Sequence, residues 1–200
     1  MQLLETIRVE NGEFSNLISH QNRMNNARKE LFFCTDEIDL ALIFNVLPNH
    51  ISNNELYKCR IIYDTEIIKV EYIRYKIPFI NSLQLVSCDE IEYSHKYLDR
   101  KQINELFSKK GKADDIIIIR NGHITDSSTA NLLFYNGKEW LTPAFPLLKG
   151  TQRAKLLDKE IIKVADIRPE DLYNFSKARL INAMLKFEDE IDVKIENVYQ

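Results

Sequence analysis

A run of four isoleucines, Ile116–Ile119, restricts the fold of this chain more than any other feature of its sequence. A strand with one solvent-exposed face alternates apolar and polar residues. An unbroken apolar run of this length is instead typical of a strand that is buried on both faces. Such a strand needs packed layers on each side. We therefore expect it inside a sheet that other elements cover.

The remaining pattern predicts strands in hairpins with helices packed on them, which is an α+β fold. The predicted strands are Leu3–Val9, Lys58–Tyr63, Glu66–Tyr75, Ser82–Ser87, Ile116–Ile119, Asn131–Tyr135, Lys138–Leu141 and Ala178–Ile181. The predicted helices are residues 20–31, a helix that Thr35 caps and that ends before Pro48, and residues 99–107, 151–157 and 169–175. A change of pattern near residues 86–94 predicts two lobes, residues 1–88 and residues 89–200.

Composition and charge narrow the class of protein. Lys plus Arg total 27 and Asp plus Glu total 30, and a net charge of −3 argues against broad binding of nucleic acid or anionic membranes. No apolar stretch reaches the length of a membrane span, and the N-terminus lacks a basic-then-apolar signal. The 3 cysteines show no CxxC spacing, which is typical of reduced thiols. We therefore expect a cytoplasmic protein without a nucleic-acid or membrane partner.

The first predicted helix carries His20 and Arg23 on one face. An arginine on a helix is usually solvated or salt-bridged; its functional alternative is to bind phosphate or carboxylate through its fork of donors. His20 has no metal-ligand partner at a suitable spacing, so we interpret it as a packed or hydrogen-bonded histidine and predict no metal site.

Lys96 lies among aromatic and apolar residues in the segment Tyr93–Leu98. Most lysines are surface residues and have no further role. Partial burial, however, would lower the pKa of the Lys96 amine and free it to act as a nucleophile.

Two later segments could also carry chemistry. Asn121–Asn131 is either a turn whose Ser and Thr satisfy the backbone, or a setting in which hydroxyl donors keep Asp126 ionised and able to accept from a protonated ring nitrogen. Leu148–Arg153 predicts a glycine turn that opens a helix, and the exposed amides of Thr151 and Gln152 would then suit a phosphate. The other reading of this turn is an ordinary helix start.

Together these segments resemble the fold type IV enzymes that depend on pyridoxal 5'-phosphate (PLP), which include branched-chain and D-amino-acid aminotransferases and aminodeoxychorismate lyases. The matching segments are, in chain order, Glu5–Val9 (the family's "ETIRV"), His20–Met24 ("HxxRL"), His95–Arg100 (the lysine segment), Thr125–Leu132 ("TExxxxNL"), Thr142–Pro143 with Leu148–Arg153 ("TP" and "LxGxxR") and Leu180–Met184 ("xxNAL"). They keep the family's order over nearly the whole chain.

The resemblance implies a two-lobed fold similar to that of D-amino-acid aminotransferase, with a shortened N-terminal lobe and with PLP as the cofactor. It implies that Lys96 bonds covalently to PLP and then moves the proton of the substrate's α-carbon, and that Asp126 pairs with the pyridinium nitrogen. The residues that it assigns to the phosphate are Arg23, Thr151, Gln152, Asn182 and Ala183. It also implies a homodimer and a small, amino-acid-like substrate.

Three departures from the family pattern are visible. The strands and glycine turn usual before "ETIRV" do not occur, so we expect part of the entrance to the site, or of the dimer surface, to differ. Asp126 stands where a Glu is commoner and is one methylene shorter, which requires the ring or the loop to shift. Gln152 replaces an apolar residue or Thr, a change that leaves its backbone amide able to serve.

Within the family, the segments 95–100 ("HKYLDR") and 180–184 ("LINAM") look closer to aminodeoxychorismate lyase. That enzyme eliminates pyruvate from 4-amino-4-deoxychorismate and leaves 4-aminobenzoate for folate synthesis. The glycine-rich segment that branched-chain aminotransferases carry after the lysine is not found after Lys96. An aminotransferase on branched-chain L- or D-amino acids is the alternative, and a member that binds PLP or another phosphate ligand without turnover is a second one.

Overall fold

The computed structural model describes residues 1–44, 48, 51–52 and 54–200. In that part of the chain the α-helices are α1 (Leu17–Phe32), α2 (Leu40–Ile43), α3 (Lys101–Phe107) and α4 (Thr151–Asp158). The strands are β1 (Leu3–Glu10), β2 (Glu13–Phe14), β3 (Tyr57–Tyr63), β4 (Ile67–Arg74), β5 (Leu83–Ser87), β6 (Asp115–Arg120), β7 (His123–Ser127), β8 (Asn131–Tyr135), β9 (Trp140–Pro143), β10 (Ile162–Ala165), β11 (Lys177–Ile181), β12 (Asp192–Lys194) and β13 (Val198–Tyr199). The predicted α+β class is confirmed.

The first of two compact units comprises residues 1–77 and 95–99. Its antiparallel sheet has the order β2-β1-β3-β4. Buried and half-buried residues alternate along β3, whereas β1 is buried along most of its length. Helix α1 buries His20 of the predicted face together with Met24, Ala27 and Arg28. The core of this unit therefore lies between β1, β3 and α1.

The short segment 95–99 belongs to this first unit because β1 holds its backbone. Leu4 N donates to Lys96 O at 2.9 Å and Leu98 N donates to Gln2 O at 3.0 Å. An antiparallel bridge joins Leu3 to Tyr97. Lys96 was expected in a C-terminal lobe of residues 89–200; in the structure these main-chain bonds place it beside β1, in the unit that also contains Arg23.

The second unit comprises residues 78–94 and 100–200, all of which the structure describes. Its nine-stranded sheet follows the path β10-β9-β8-β7-β6-β5-β13, with β11 paired to β8 and β12. Strand β6 contains the four isoleucines, each of them buried, as the sequence predicts. Strand β8 pairs with β7, β9 and β11. Its first residue, Asn131, pairs with both β7 and β11, whereas β9 pairs with its last two residues.

Some predicted boundaries were wrong. Thr35 does not cap a helix: the next helix, α2, begins only after Asp39, whose side chain accepts a hydrogen bond from Ala41 N at 2.8 Å. The predicted end of that helix falls partly on residues outside the described ones. The segment predicted as a helix over 169–175 is a 3-10 helix, Pro169–Asn174. Of the helices in the described part of the chain, none is long and apolar enough to cross a membrane.

Candidate active site

A buried carboxylate joins β1 to α1 in the first unit. Glu5 on β1 and His20 on α1 are both 0% exposed. The Glu5 carboxylate contacts His20 Nδ1 at 2.6 Å and accepts two bonds from Arg23, Nε to Oε1 at 2.8 Å and Nη2 to Oε2 at 2.6 Å. His20 and Arg23 thus meet one carboxylate from adjacent positions on the same helix face.

The pKa values of this cluster show how the charges are distributed. Burial alone would raise the pKa of Glu5, but Arg23 and His20 outweigh it and bring the pKa to about 2. Burial lowers the pKa of His20, against the opposing influence of Glu5. Because an ionised carboxylate can only accept, the neutral His20 ring carries its proton on Nδ1 and donates it to Glu5.

Lys96 is half-buried in the same unit. Its neighbour His95 contacts Glu30 of α1, with 3.0 Å between Nε2 and Oε2. The charge of Lys96 is one of the influences that lower the pKa of His20, so its ammonium lies within electrostatic reach of the Glu5 cluster. The structure therefore brings together two of the predicted site residues, Arg23 and Lys96, at the junction of β1 and α1.

In the second unit, Asp126 lies on β7 with 6% of its surface exposed. Its carboxylate accepts one hydrogen bond from Asn131 Nδ2 at 2.7 Å and another from Leu148 N at 2.9 Å. The prediction that hydroxyl groups hold Asp126 was wrong. The nearby Ser127 hydroxyl accepts from the turn amides instead, Ala130 N among them at 3.0 Å, and so stabilises the turn.

Burial raises the pKa of Asp126 to about 6, although Leu148, Asn131 and the charge of Arg153 oppose that rise. The two groups that bond this carboxylate are neutral N–H donors. A cationic ring N–H at the carboxylate would favour its ionised form far more than neutral donors do. The residues around Asp126 therefore fit a group that carries a protonated pyridine nitrogen.

Asn131, which the sequence analysis did not select, organises this part of the second unit. Its Nδ2 donates to Leu148 O at 2.8 Å as well as to Asp126. Its backbone pairs with Asp126 on one side and with Ile181, at the end of β11, on the other. The asparagine of the "TExxxxNL" pattern was the available signal, and it was read only as part of the resemblance.

The turn before α4 is built against the same asparagine. Gly150 is the N-cap residue of α4, with φ −68° and ψ 146°, a conformation open to any residue. A Cβ at this position, however, would lie 2.1 Å from Asn131 Oδ1. Because of this close approach the position requires a glycine. Thr151 and Gln152 follow it in the first turn of α4.

Gly150→Ala is expected to destabilise the protein by about 2 kcal/mol or more, because the new methyl group would displace Asn131 and weaken its buried hydrogen bonds. Urea unfolding of the purified protein measures this. Gly137→Ala is the control: that glycine has φ +93° and nothing within 4 Å of its Cβ, so only backbone strain of about 1 kcal/mol is expected. Equal stability of Gly150→Ala and wild type would contradict the close-approach argument.

Asn182 and Ala183 follow β11 in a tight turn. Asn182 Oδ1 accepts from Met184 N at 2.7 Å and from Leu185 N at 2.9 Å. Asn182 Nδ2 donates to Thr129 O at 3.0 Å, which ties the turn to the loop after β7. The second unit thus brings Asp126, the start of α4 and the 182–183 turn to one region around Asn131.

Comparison with known proteins gives this arrangement a family. Residues 93–187 match the family model described as amino-transferase class IV. The chain is 42% identical over 184 residues to an uncharacterized protein of Haemophilus influenzae, a match that spans 91% of this chain and 97% of the relative.

Solved structures agree with that assignment. A Haemophilus somnus protein provisionally assigned as a 4-amino-4-deoxychorismate lyase is 36% identical, with a TM-score of 0.86 over 93% of this chain and 97% of the other. An amino-acid aminotransferase, also provisionally assigned, from Mesorhizobium loti has a TM-score of 0.79 at 20% identity, over 96% of this chain and 98% of the other, and shows the fold alone.

The chain belongs to the class IV aminotransferase family. It is a fold type IV enzyme with a short chain, and its cofactor is PLP, as is general in that family. One structure that shares the fold was solved with PLP bound: a hypothetical aminotransferase from Mycobacterium tuberculosis, at 15% identity and TM-score 0.73 over 98% of this chain and 81% of the other.

Proposed function

We propose that this protein is a lyase that eliminates pyruvate from 4-amino-4-deoxychorismate and releases 4-aminobenzoate, a step of folate synthesis. The observation that carries the proposal is the 36% identity, over 93% of this chain, to the Haemophilus somnus protein provisionally assigned to that activity. The segments 95–100 and 180–184, which look like those of the lyases, support it.

In this proposal, Lys96 and Asp126 are the catalytic residues. PLP, when bound, withdraws electrons from the carbon that bears the substrate's amine. Lys96 Nζ would hold the cofactor covalently in the resting enzyme, and its amine, once released, would take the proton from that carbon. Asp126 would accept the N–H of the pyridine ring and so favour the protonated form of that nitrogen. The electron pair left behind by the carbon-bound proton would break the C–O bond of the enolpyruvyl group, which makes the ring aromatic. The released enolpyruvate would then take up a proton on carbon and become pyruvate.

Five residues are proposed to bind the phosphate. Arg23 would offer its guanidinium, and the first turn of α4 would offer the backbone amides of Thr151 and Gln152. Asn182 and Ala183 would complete this set from the turn after β11. We further propose a cytoplasmic homodimer with a small, amino-acid-like substrate.

The alternative activity is amino-group transfer by the same Lys96 and Asp126. The Mesorhizobium loti aminotransferase matches 98% of its own chain to this one, so a chain of nearly this length also serves a protein provisionally assigned to that class. This alternative also requires a pocket for the carboxylate of the substrate.

A single-turnover absorption experiment separates the two activities. The protein is saturated with PLP, excess cofactor is removed, and L- and D-amino acids are added without a keto acid. A lyase is expected to keep the visible absorption of lysine-bound PLP throughout the panel and to release pyruvate, detected with lactate dehydrogenase, from 4-amino-4-deoxychorismate. Conversion of the cofactor to its pyridoxamine form by any amino acid would move the aminotransferase to first place.

A further inference from the structure

We propose that Glu5 is a positioning residue: its buried carboxylate, held by His20, fixes the Arg23 guanidinium in the orientation that binds the phosphate of PLP. The inference rests on the proposed function, which assigns Arg23 to that phosphate. It adds a role for two residues, Glu5 and His20, that touch neither substrate nor cofactor in the proposal.

The first observation is the geometry of the pair. Arg23 meets Glu5 through two parallel contacts of 2.8 and 2.6 Å, the planar fork that carboxylate and guanidinium form together. A single contact would leave the guanidinium free to turn about that bond, whereas the fork fixes its plane. The fork uses two of the five N–H donors of Arg23 and directs the remaining donors away from Glu5.

The second observation is that the acceptor itself cannot move. The Glu5 backbone is paired with Ile61 of β3 inside the antiparallel sheet. Its side chain is 0% exposed, and His20 Nδ1 contacts Oε2 at 2.6 Å. Arg23, by comparison, keeps 19% of its side chain exposed. A fixed inner carboxylate therefore orients a more accessible cation.

The third observation is the charge of the cluster. Glu5 neutralises Arg23, while Lys96 supplies a further positive charge that is felt at His20. If Glu5 mattered only through its charge, it would compete with the phosphate for Arg23, and its removal would strengthen PLP binding. A positioning role predicts the opposite, namely that removal of Glu5 weakens PLP binding. The direction of the change in PLP affinity therefore distinguishes the charge effect from the positioning role.

The test compares the affinity of the full chain for PLP with its affinity for pyridoxal, which lacks the phosphate, by absorption or fluorescence titration. Glu5→Gln, which keeps the shape and removes the charge and one acceptor, is expected to weaken PLP binding by about 10- to 100-fold, the scale of one or two charge-assisted hydrogen bonds. Pyridoxal binding is expected to stay unchanged. Because Glu5 acts through Arg23, adding Glu5→Gln to Arg23→Ala is expected to weaken PLP no further.

Three results would overturn the positioning role: tighter PLP binding by Glu5→Gln, an equal loss for PLP and pyridoxal, or full additivity with Arg23→Ala. Should Glu5→Gln fail to fold, Arg23→Lys gives the answer, since lysine keeps the cation but cannot form the fork. The proposal then expects Arg23→Lys to bind PLP almost as weakly as Arg23→Ala, and wild-type affinity would refute it. If Arg23→Ala itself left PLP affinity unchanged, the phosphate assignment of the proposed function would fail, a separate result from failure of Glu5 alone.

Discussion

Replacing Lys96 with alanine is expected to lower turnover by about 10³-fold or more, and to abolish covalent attachment of PLP. The size of this loss in turnover follows from the two tasks proposed for the Lys96 amine. Positioned proton transfer alone contributes about 10²- to 10⁴-fold, and covalent catalysis is lost as well. The fold should survive, because β1 holds Lys96 through its main-chain carbonyl, which alanine retains.

Borohydride reduction of the PLP-loaded protein, followed by peptide mass analysis, measures the attachment directly. The label is expected on Lys96 in wild type and on no lysine in Lys96→Ala, while pyruvate release measures the loss of turnover. Lys76→Ala is the matched control, since Lys76 is an exposed lysine of the same unit. A label on another lysine in the wild type, or unchanged turnover in Lys96→Ala, would disprove the assignment.

The sequence predicted those parts of the fold whose physics is local. Four consecutive isoleucines can only avoid water inside a covered sheet, and β6 is buried along them. The reading of Asn121–Asn131 as a turn holds at its start, where Asn121 and Gly122 adopt positive φ, 51° and 76°, whereas residues 123–127 form strand β7. The prediction of Thr35 as a cap was wrong because Thr and Asp are both favoured at that position, so residue type alone does not choose between Thr35 and Asp39, the residue that caps α2.

Parts of the fold that depend on contacts between distant residues could not be predicted from the sequence. Strand β10 is short, with two of its four residues exposed, and exists because it pairs in parallel with β9. The segment around Lys96 joins the first unit because Lys96 O accepts a hydrogen bond from Leu4 N and Leu98 N donates one to Gln2 O, and these partners are far apart in the sequence.

The candidate site was also predicted only in part. Its residue types could be predicted from the sequence, because a lysine, an acidic residue and a glycine turn occur in the family's order. The hydrogen-bond partners of these residues could not be predicted. Whether Glu5 is an exposed charge or a buried, hydrogen-bonded carboxylate depends on His20 and Arg23, and the packing of α1 on β1 brings them to it. Likewise, Asn131 and Leu148, and not the neighbouring hydroxyls, hold Asp126 because β8 and the turn before α4 meet there.

The second large effect is expected for Asp126→Asn, in both stability and activity. In the folded protein the pKa of Asp126 is raised from its ordinary 3.8 to about 6 by burial. Between those two pH values the folded state holds a proton that the unfolded chain has lost. The stabilisation is therefore complete below pH 3.8 and is lost as pH rises through about 6, and linkage converts the difference into about 3 kcal/mol.

Urea unfolding of the PLP-free protein at pH 4, 5, 6 and 7 tests this, because asparagine does not titrate. In Asp126→Asn the new side-chain N–H donors would face Leu148 N, which is also a donor, and this contact destabilises the variant. The penalty is the same at every pH, so it cancels when only the pH dependence of the two proteins is compared. Relative to the variant, wild type is expected to lose up to about 3 kcal/mol from pH 4 to 7. Parallel curves would show that burial does not hold a proton on Asp126.

Adding PLP should reduce the pH dependence of stability that Asp126 causes, and this links that pH dependence to the proposed role of Asp126. A cationic ring N–H beside the carboxylate favours its ionised form, so the Asp126-dependent loss of stability toward neutral pH is expected to shrink or vanish when PLP is bound. In Asp126→Asn no such change is possible, and turnover should fall by about 10²- to 10³-fold, the range for removal of one preorganised electrostatic contact. A wild-type pH dependence that is the same with and without PLP would mean that the cofactor's nitrogen is not at Asp126. The elevated pKa would then be a consequence of packing alone.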